Sequence, residues 1–427
     1  MISLVLFGSL FVLLILQVPV AFALGISSLL TIFYTNSLSI TYIAQNLVTS
    51  LDSFPLMAVP FFVLAGELMG GGGISKRLLN TANIFFGKIT GGMAIVTVVV
   101  CMFFAAISGS GPATVAAIGG MVIPTMLEKG YDRKFTLSVI AAAGSIGVII
   151  PPSIPMVIYS VSTNSSVSKL FMAGFIPGIL MGIALIGYSY FYSKKMKYYG
   201  TKEKINWAEA KKIIWDAKWA LLSPVIILGG IYGGIFTPTE AAAVSVIYSF
   251  AVGVFVYKEL TFKNLFYVVR NACLTTATIV VVIGCASAFT KVLTVARMPN
   301  LIAETIMGIT SNKILILIFI NLLLLFVGCF MDTLCSIMVL APIFLPIVQA
   351  VGVDVTHFGI IMVVNLAIGF CTPPLGINLF VSSRIGGAPL TEVIKGIVPY
   401  IIVMVAVLLA LTYIPAISLV LPNLFMK

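Results

Sequence analysis

The groups in this 427-residue chain best able to do chemistry are hydroxyls, main-chain carbonyls and one carboxylate, gathered where apolar segments are interrupted. In the first half they are Ser108, Ser110, Thr114, Ser145 and Ser153, with Gly111 and the carbonyls of Gly144, Gly147 and Pro151. In the second half they are Asp332, Thr333, Ser336, Thr372 and Asn378, with the carbonyls of Gly328 and Gly369. Such oxygens are hard ligands suited to Na⁺, and half-helix N-termini beside them favour an anion through their dipoles. An organic anion would then meet Thr114, Ser145, Pro152 and Ser153 from one side and Ser336, Pro373 and Asn378 from the other. A carboxylate at membrane depth is costly, so Asp332 is a functional candidate by default. For any one Ser or Thr, ordinary helix–helix hydrogen bonding is the competing reading. Arg384, eleven residues after Pro373, could pair with a substrate carboxylate, although an interfacial basic anchor suits it as well.

The elements that carry these groups are duplicated. Ala143–Pro152 reappears 222 positions later as Asn365–Pro374, and each copy ends in Pro-Pro where a membrane helix should be continuous. The same offset places Pro124 on Pro346, Gly130 on Gly352, Asp132 on Asp354, Gly147 on Gly369, Ser160 on Ser382 and Ser110 on Asp332. A single proline is often only a kink in a packed helix. Matched Gly/Pro breaks in two hydrophobic halves instead point to the binding site of a secondary transporter.

Composition fixes the solvent. Hydrophobic residues make up 60% of the chain and charged residues 9%, and long apolar runs such as Ile401–Leu421 recur. Each span must satisfy its own backbone as a helix, which predicts an all-α polytopic membrane protein embedded in a lipid bilayer. The uncharged opening segment lacks a basic region and a cleavage site, so it reads as a retained helix rather than a signal peptide. The six cysteines have no ligand spacing and read as buried free thiols.

The net charge of +11 would suggest nucleic acid in a soluble chain, but here its distribution decides, and no nucleic-acid partner is expected. Eight lysines lie between Ser193 and Lys218, and the positive-inside bias makes that segment cytoplasmic. Working outward assigns 19 of the 24 Lys and Arg to the cytoplasm, leaving Lys169, Lys291, Arg297, Lys313 and Lys427 outside. Both termini are then periplasmic. Re-entrant hairpins turn at Ser108–Pro112 and near Gly328–Thr333, and the two halves are inverted relative to each other. The first repeat, 1–192, holds scaffold helices in 1–72, an arm at 74–90, a hairpin at 91–128 and a broken helix at 135–161. A basic cytoplasmic linker, 193–218, leads to the second repeat, 219–427. That repeat holds scaffold helices in 219–290, an arm at 294–310, a hairpin at 312–351, a broken helix at 355–385 and a final helix at 397–421. The arms are expected to lie flat as amphipathic surface segments.

Glu240, in Thr237–Ala243, is a second deep carboxylate and reads either as a gating or ion residue or as a charge at a helix N-terminus opened by Pro238. Glu67, near the cytoplasmic end of its span, should reach water, and the single histidine, His357, sits at a helix start unsuited to a proton relay. One histidine and no clustered carboxylates leave no constellation for an enzyme.

The Ser108–Thr114 tip, the Ile150–Ser153 and Thr372–Phe380 breaks and Phe236–Ala242 together resemble the large membrane subunit of tripartite ATP-independent periplasmic (TRAP) transporters, nearly end to end. That resemblance implies an elevator-type transporter of the inner membrane. It also implies uptake of an organic acid, of the sialic acid or C4-dicarboxylate type, with two or more Na⁺ as coupling ions. Its partners would be a periplasmic substrate-binding protein and a separate small four-helix membrane subunit, the latter docking on scaffold helices near Met1–Phe33 and Trp219–Tyr257. The alternative is a stand-alone Na⁺/anion symporter or a Na⁺/H⁺ exchanger of a related inverted-repeat fold, which would need titratable core groups; only Asp332 and Glu240 qualify.

Overall fold

The structure, a computed structural model, describes residues 2–35, 39–200 and 206–426, in which the regular elements are helices. Lys202, Lys204 and Lys427 of the charge count lie outside the described residues. In chain order the α-helices are α1 (Ile2–Ile15), α2 (Val20–Thr35), α3 (Ile40–Thr49), α4 (Ala58–Gly71), α5 (Ile74–Phe86), α6 (Gly92–Ser108), α7 (Gly111–Glu128), α8 (Arg133–Ser145), α9 (Ile154–Thr163) and α10 (Val167–Lys195). The second half contains α11 (Trp207–Tyr232), α12 (Pro238–Ala251), α13 (Phe262–Val295), α14 (Met298–Ile309), α15 (Lys313–Gly328), α16 (Thr333–Ala350), α17 (Val355–Gly369), α18 (Ile377–Gly386), α19 (Leu390–Tyr413) and α20 (Ala416–Phe425). Among the described residues seven helical segments are long and apolar enough to cross a membrane, and α10, α11, α13 and α19 are among them.

The duplication is a structural fact. Helices α7 and α16 begin and end at positions 222 apart, and α8 and α17 begin at that same spacing. Both of the latter are capped by an aspartate: Asp132 Oδ2 accepts from Phe135 N at 3.1 Å, and Asp354 Oδ1 from Thr356 N at 2.8 Å. The glycines two residues before those caps both take positive φ, 78° at Gly130 and 69° at Gly352, which a side chain would resist. Pro151–Pro152 and Pro373–Pro374 are both cis.

The hairpins α6–α7 and α15–α16 interlock with the broken helices. α7 packs on α8 and α18, α16 packs on α9 and α17, and α19 runs along α8. Nearly every residue of α8 and α17 is buried, polar ones such as Ser138 and Asn365 included, so these helices are enclosed on all faces and form the centre of the molecule. Around them α2, α4, α12 and α13 pack against one another. α5 is tied to this outer group by Arg77, whose Nε meets Asp216 Oδ2 at 2.9 Å while Nη1 meets Glu259 Oε1 at 2.6 Å. Its guanidinium also lies 3.6 Å over the Tyr257 ring.

Three boundaries differ from the sequence reading. The segment expected as a linker at 193–218 is helical at both ends, because α10 runs to Lys195 and α11 begins at Trp207. Asn206 caps α11 by accepting from Ala208 N at 3.1 Å, and the Ala, Glu and Lys that follow are strong helix formers whatever their charge. The last long helix starts at Leu390 and stops at Tyr413, just before Pro415, which starts the separate α20. Helix α3 lies between segments read as two adjacent crossings.

Candidate functional site

In the first half the hairpin tip and the helix break meet through main-chain atoms. α6 closes at Ser108, Gly109 adopts φ 60°, and α7 opens at Gly111 with Pro112 in its first turn. A Cβ on Gly109 would stand 2.9 Å from Pro152 O, so the turn requires both the left-handed backbone and the missing side chain. Gly109 O accepts from Ile154 N at 3.3 Å, joining the tip to the start of α9. Beside it Ser108 Oγ lies 3.0 Å from Thr114 Oγ1, which donates to Ser110 O at 2.7 Å. Gly147, in the 3-10 turn that ends α8, is so close that a Cβ there would lie 2.6 Å from both Ser110 O and Thr114 Oγ1. A Cβ on Gly111 would be 3.2 Å from Gly144 O. Ser108, Ser110, Gly111, Thr114, Gly144 and Gly147 are thus gathered at one place whose donors are all oxygen. Ser145 and Ser153 use their hydroxyls on the break itself, donating at 2.6 Å to Ala142 O and Val148 O. Pro151 and Pro152 form the turn between them.

The second half repeats the chemistry with a changed tip. Ser336 Oγ donates to Asp332 O at 2.9 Å, the same bond that Thr114 makes to Ser110 one repeat earlier. Asp332 differs from Ser110 in that its side chain caps the helix, Oδ2 accepting from Leu334 N at 2.9 Å. Thr333 and Ser336 are buried behind it. Gly369, at the end of α17, would bring a Cβ to 2.6 Å from Gly328 O, so tip and break touch backbone to backbone here too. Thr372 Oγ1 donates to Ile368 O at 2.8 Å, and Gly376, at φ 44°, starts α18. Pro373 is half-buried between them.

The two halves join at Asn378. Its Nδ2 donates to Ala141 O of α8 at 3.1 Å, and its Nδ2 would be 3.4 Å from a Cβ on Gly144. Its Oδ1 is buried and has no hydrogen-bond partner among the described residues, an acceptor free for a cation or for a donor group of a substrate. The Phe370 ring lies 3.2 Å from a Cβ placed on Gly111, so the first tip contacts the second break as well as the first. Oxygen groups and an unpaired buried acceptor are the chemistry hard cations take, and among the described residues no group of three or more His, Cys, Asp or Glu comes together as a transition-metal set.

Two sequence candidates are placed elsewhere. Arg384 lies in the last turn of α18, exposed, seven residues beyond its first residue and so about 10 Å from the break. Glu240 takes the helix N-terminal role of its two readings, as an exposed capping-box residue: Oε2 accepts from Thr237 N and Thr237 Oγ1, each at 2.8 Å. His357 is a satisfied core side chain, with Nδ1 2.7 Å from Ser418 Oγ and Nε2 3.3 Å from Thr412 O.

Sequence reasoning missed a buried amide pair and a cleft. Asn365 Nδ2 donates to Asn321 Oδ1 at 2.9 Å, and Asn321 Nδ2 to Thr412 Oγ1 at 3.0 Å, which ties α15 to α17 and α19. The available signal was one asparagine inside the apolar run Ile314–Phe326. A cleft of about 640 Å³ runs from Ser108 and Ser110 between α4 and α13, and Glu67, Asn271 and Thr275 line it.

Residues 7–417 match the family described as "Tripartite ATP-independent periplasmic transporter, DctM component". The isethionate TRAP transporter permease protein DctMQ of Oleidesulfovibrio alaskensis is 52% identical over 97% of this chain, which spans 65% of that protein's length. The C4-dicarboxylate TRAP transporter large permease protein DctM of Pseudomonas aeruginosa is 43% identical over 94% of each chain. The sialic acid TRAP transporter large permease protein SiaM of Vibrio cholerae is 39% identical over 96% of this chain and 95% of its own. Among solved structures, the YdaH transporter of Alcanivorax borkumensis superposes with a TM-score of 0.64 over 87% of this chain and 88% of its own; at 14% identity it shows the fold alone. The chain therefore belongs to the DctM family, the large permease component of tripartite ATP-independent periplasmic transporters, a family of carriers rather than enzymes.

Proposed function

We propose that this permease takes up a small organic acid anion across the inner membrane by Na⁺-coupled, elevator-type alternating access. The observation that carries the reading is the paired oxygen set, built at matching positions of two repeats where a hairpin tip touches a helix break. One Na⁺ would be held by Ser108, Ser110 and Gly144 with Thr114 and Gly147 at its edge, a second by Gly328, Asp332, Gly369 and Thr372. Filling these sites would fix tip against break, and the substrate would complete the space near Gly111, Ser145, Phe370 and Asn378. The interlocked unit α6–α9 with α15–α18, flanked by α10 and α19, would slide against α1–α4 and α11–α13.

Backbone glycine contacts support a moving seam, since Gly66 of α4 meets Ser108 so closely that a Cβ would lie 3.1 Å from its Cα. The anion would be delivered by a periplasmic binding protein, and a small membrane subunit would rest on the outer helices, whose exposed Phe11, Phe22, Phe33, Val225 and Phe255 require an apolar surface. Relatives named for isethionate, C4-dicarboxylates and sialic acid supply the substrate classes to compare, and likeness ranks them in that order. The test is uptake of the three labelled acids into proteoliposomes carrying the assembled transporter. Accumulation of one of them only under an inward Na⁺ gradient supports the proposal, and equal uptake with K⁺ replacing Na⁺ would refute coupling.

A further inference from the structure

Glu67 projects from α4 into the cleft of about 640 Å³ that leads from the first hairpin tip to the end of α4. The candidate ion ligands Ser108 and Ser110 line the same cleft, and Gly66, the residue before Glu67, is in contact with Ser108. Asn271 and Thr275, one helical turn apart on α13, form a third wall. Glu67 is half-buried and has no hydrogen-bond or ion-pair partner among the described residues, where the ion pairs all belong to Arg77. A carboxylate partly withdrawn from water, in a cleft it shares with hydroxyls and an amide and without a basic partner, is suited to hold a passing cation. The cleft opens beside Gly70 and Gly71, next to the arm that carries Lys76 and Arg77, which is the basic side of the molecule.

We propose that Glu67 is a docking carboxylate for the coupling Na⁺ on its way between the Ser108–Ser110 tip and the cytoplasm. The inference rests on the Na⁺ coupling proposed above. Glu67 stands on the outer helices while the tip belongs to the interlocked unit, so it attracts the ion when tip and cleft face each other, as they do here. An ion arriving from the periplasm does not pass it. Removing its charge therefore weakens access of Na⁺ from one side only.

The experiment uses the assembled transporter in proteoliposomes, with binding protein added only outside to select one orientation. Uptake of the labelled acid is measured while external and internal Na⁺ are varied separately, for the unaltered chain, Glu67→Gln and Glu67→Asp. In Glu67→Gln the internal Na⁺ that halves uptake rises about tenfold, external half-saturation stays within about twofold, and Glu67→Asp behaves as the unaltered chain. Equal shifts on both sides, or none, would overturn the inference while leaving Na⁺ coupling intact. Uptake by the unaltered chain that ignores Na⁺ on both sides would overturn the coupling, and this inference with it.

Discussion

Replacing Gly147 by Ala tests whether tip and break of the first half are in contact. An ideal Cβ there falls 2.6 Å from Ser110 O and 2.6 Å from Thr114 Oγ1, two oxygens on the hairpin. Close C···O approaches settle near 3.3 Å, so each contact is short by about 0.7 Å. Neither neighbour can swing aside, since Ser110 O is main chain and Thr114 Oγ1 is held by its bond to that same atom at 2.7 Å. Overpacking of this kind costs about 1–3 kcal/mol. If the contact is required only in the ion-loaded state, that cost lowers the population of the competent site by about 5- to 150-fold. The matched control is Gly120→Ala on the same hairpin, where a Cβ would have nothing within 4 Å. There a helical Gly gives way to Ala, which stabilises by about 0.5–1 kcal/mol. Both variants are compared by thermal unfolding in detergent and by Na⁺-driven uptake in proteoliposomes. The expected result is a higher midpoint with full uptake for Gly120→Ala and uptake reduced at least fivefold for Gly147→Ala. Gly147→Ala with uptake within about twofold of the unaltered chain would refute the contact on which the oxygen cluster depends.

Asp332 separates cap from charge: Asn caps a helix about as well as Asp, whereas Ala loses about 1 kcal/mol, so Asp332→Asn should unfold like the unaltered chain yet require more Na⁺ for half-maximal uptake, and Asp332→Ala should lose both. Glu240→Gln should leave the Na⁺ dependence of uptake unchanged, measured by the same titration, because its carboxylate is spent on Thr237 at the surface. Asn378→Ala removes one of two side-chain bonds to Ala141 O, the other coming from Cys371 Sγ at 3.2 Å, and should cost about 0.5–1.5 kcal/mol, visible as a lower unfolding midpoint together with a raised half-saturation for substrate. Arg77→Lys cannot meet Asp216 and Glu259 while stacking on Tyr257 and should cost about 1–2 kcal/mol, read by thermal unfolding.

The parts of the fold legible in the sequence were those written twice. Pro151–Pro152 and Pro373–Pro374 marked both breaks, and the same offset matched Gly130 with Gly352, which both take a positive φ that glycine adopts most readily. Charge was a poorer guide. The lysines after Ser193 suggested a continuous loop, but side-chain charge does not oppose helix formation, and α10 and α11 extend well into that stretch. Of the two readings of Glu240, the helix N-terminal one opened by Pro238 is what the structure shows, since Thr237 and Glu240 form a capping box in the first turn of α12. Asn378 was legible as a candidate from the break it follows, but its bond to Ala141, 237 residues away, was not, and Phe370 and Asn321 gave little local signal because only packing brings their partners to them. Glu67 was read by its nearness to water, and its place in one cleft with Ser108 depends on the Gly66 contact between two helices not adjacent in sequence.

The most direct test of a carrier built on two matched ion sites is Na⁺-driven uptake of the transported acid by Ser108→Ala, Thr372→Ala and the double variant, with Na⁺ concentration varied in each. Two coupled sites predict a sigmoidal Na⁺ dependence in the unaltered chain, higher half-saturation in either single variant, and loss of uptake in the double. A hyperbolic Na⁺ dependence that neither substitution alters would contradict it.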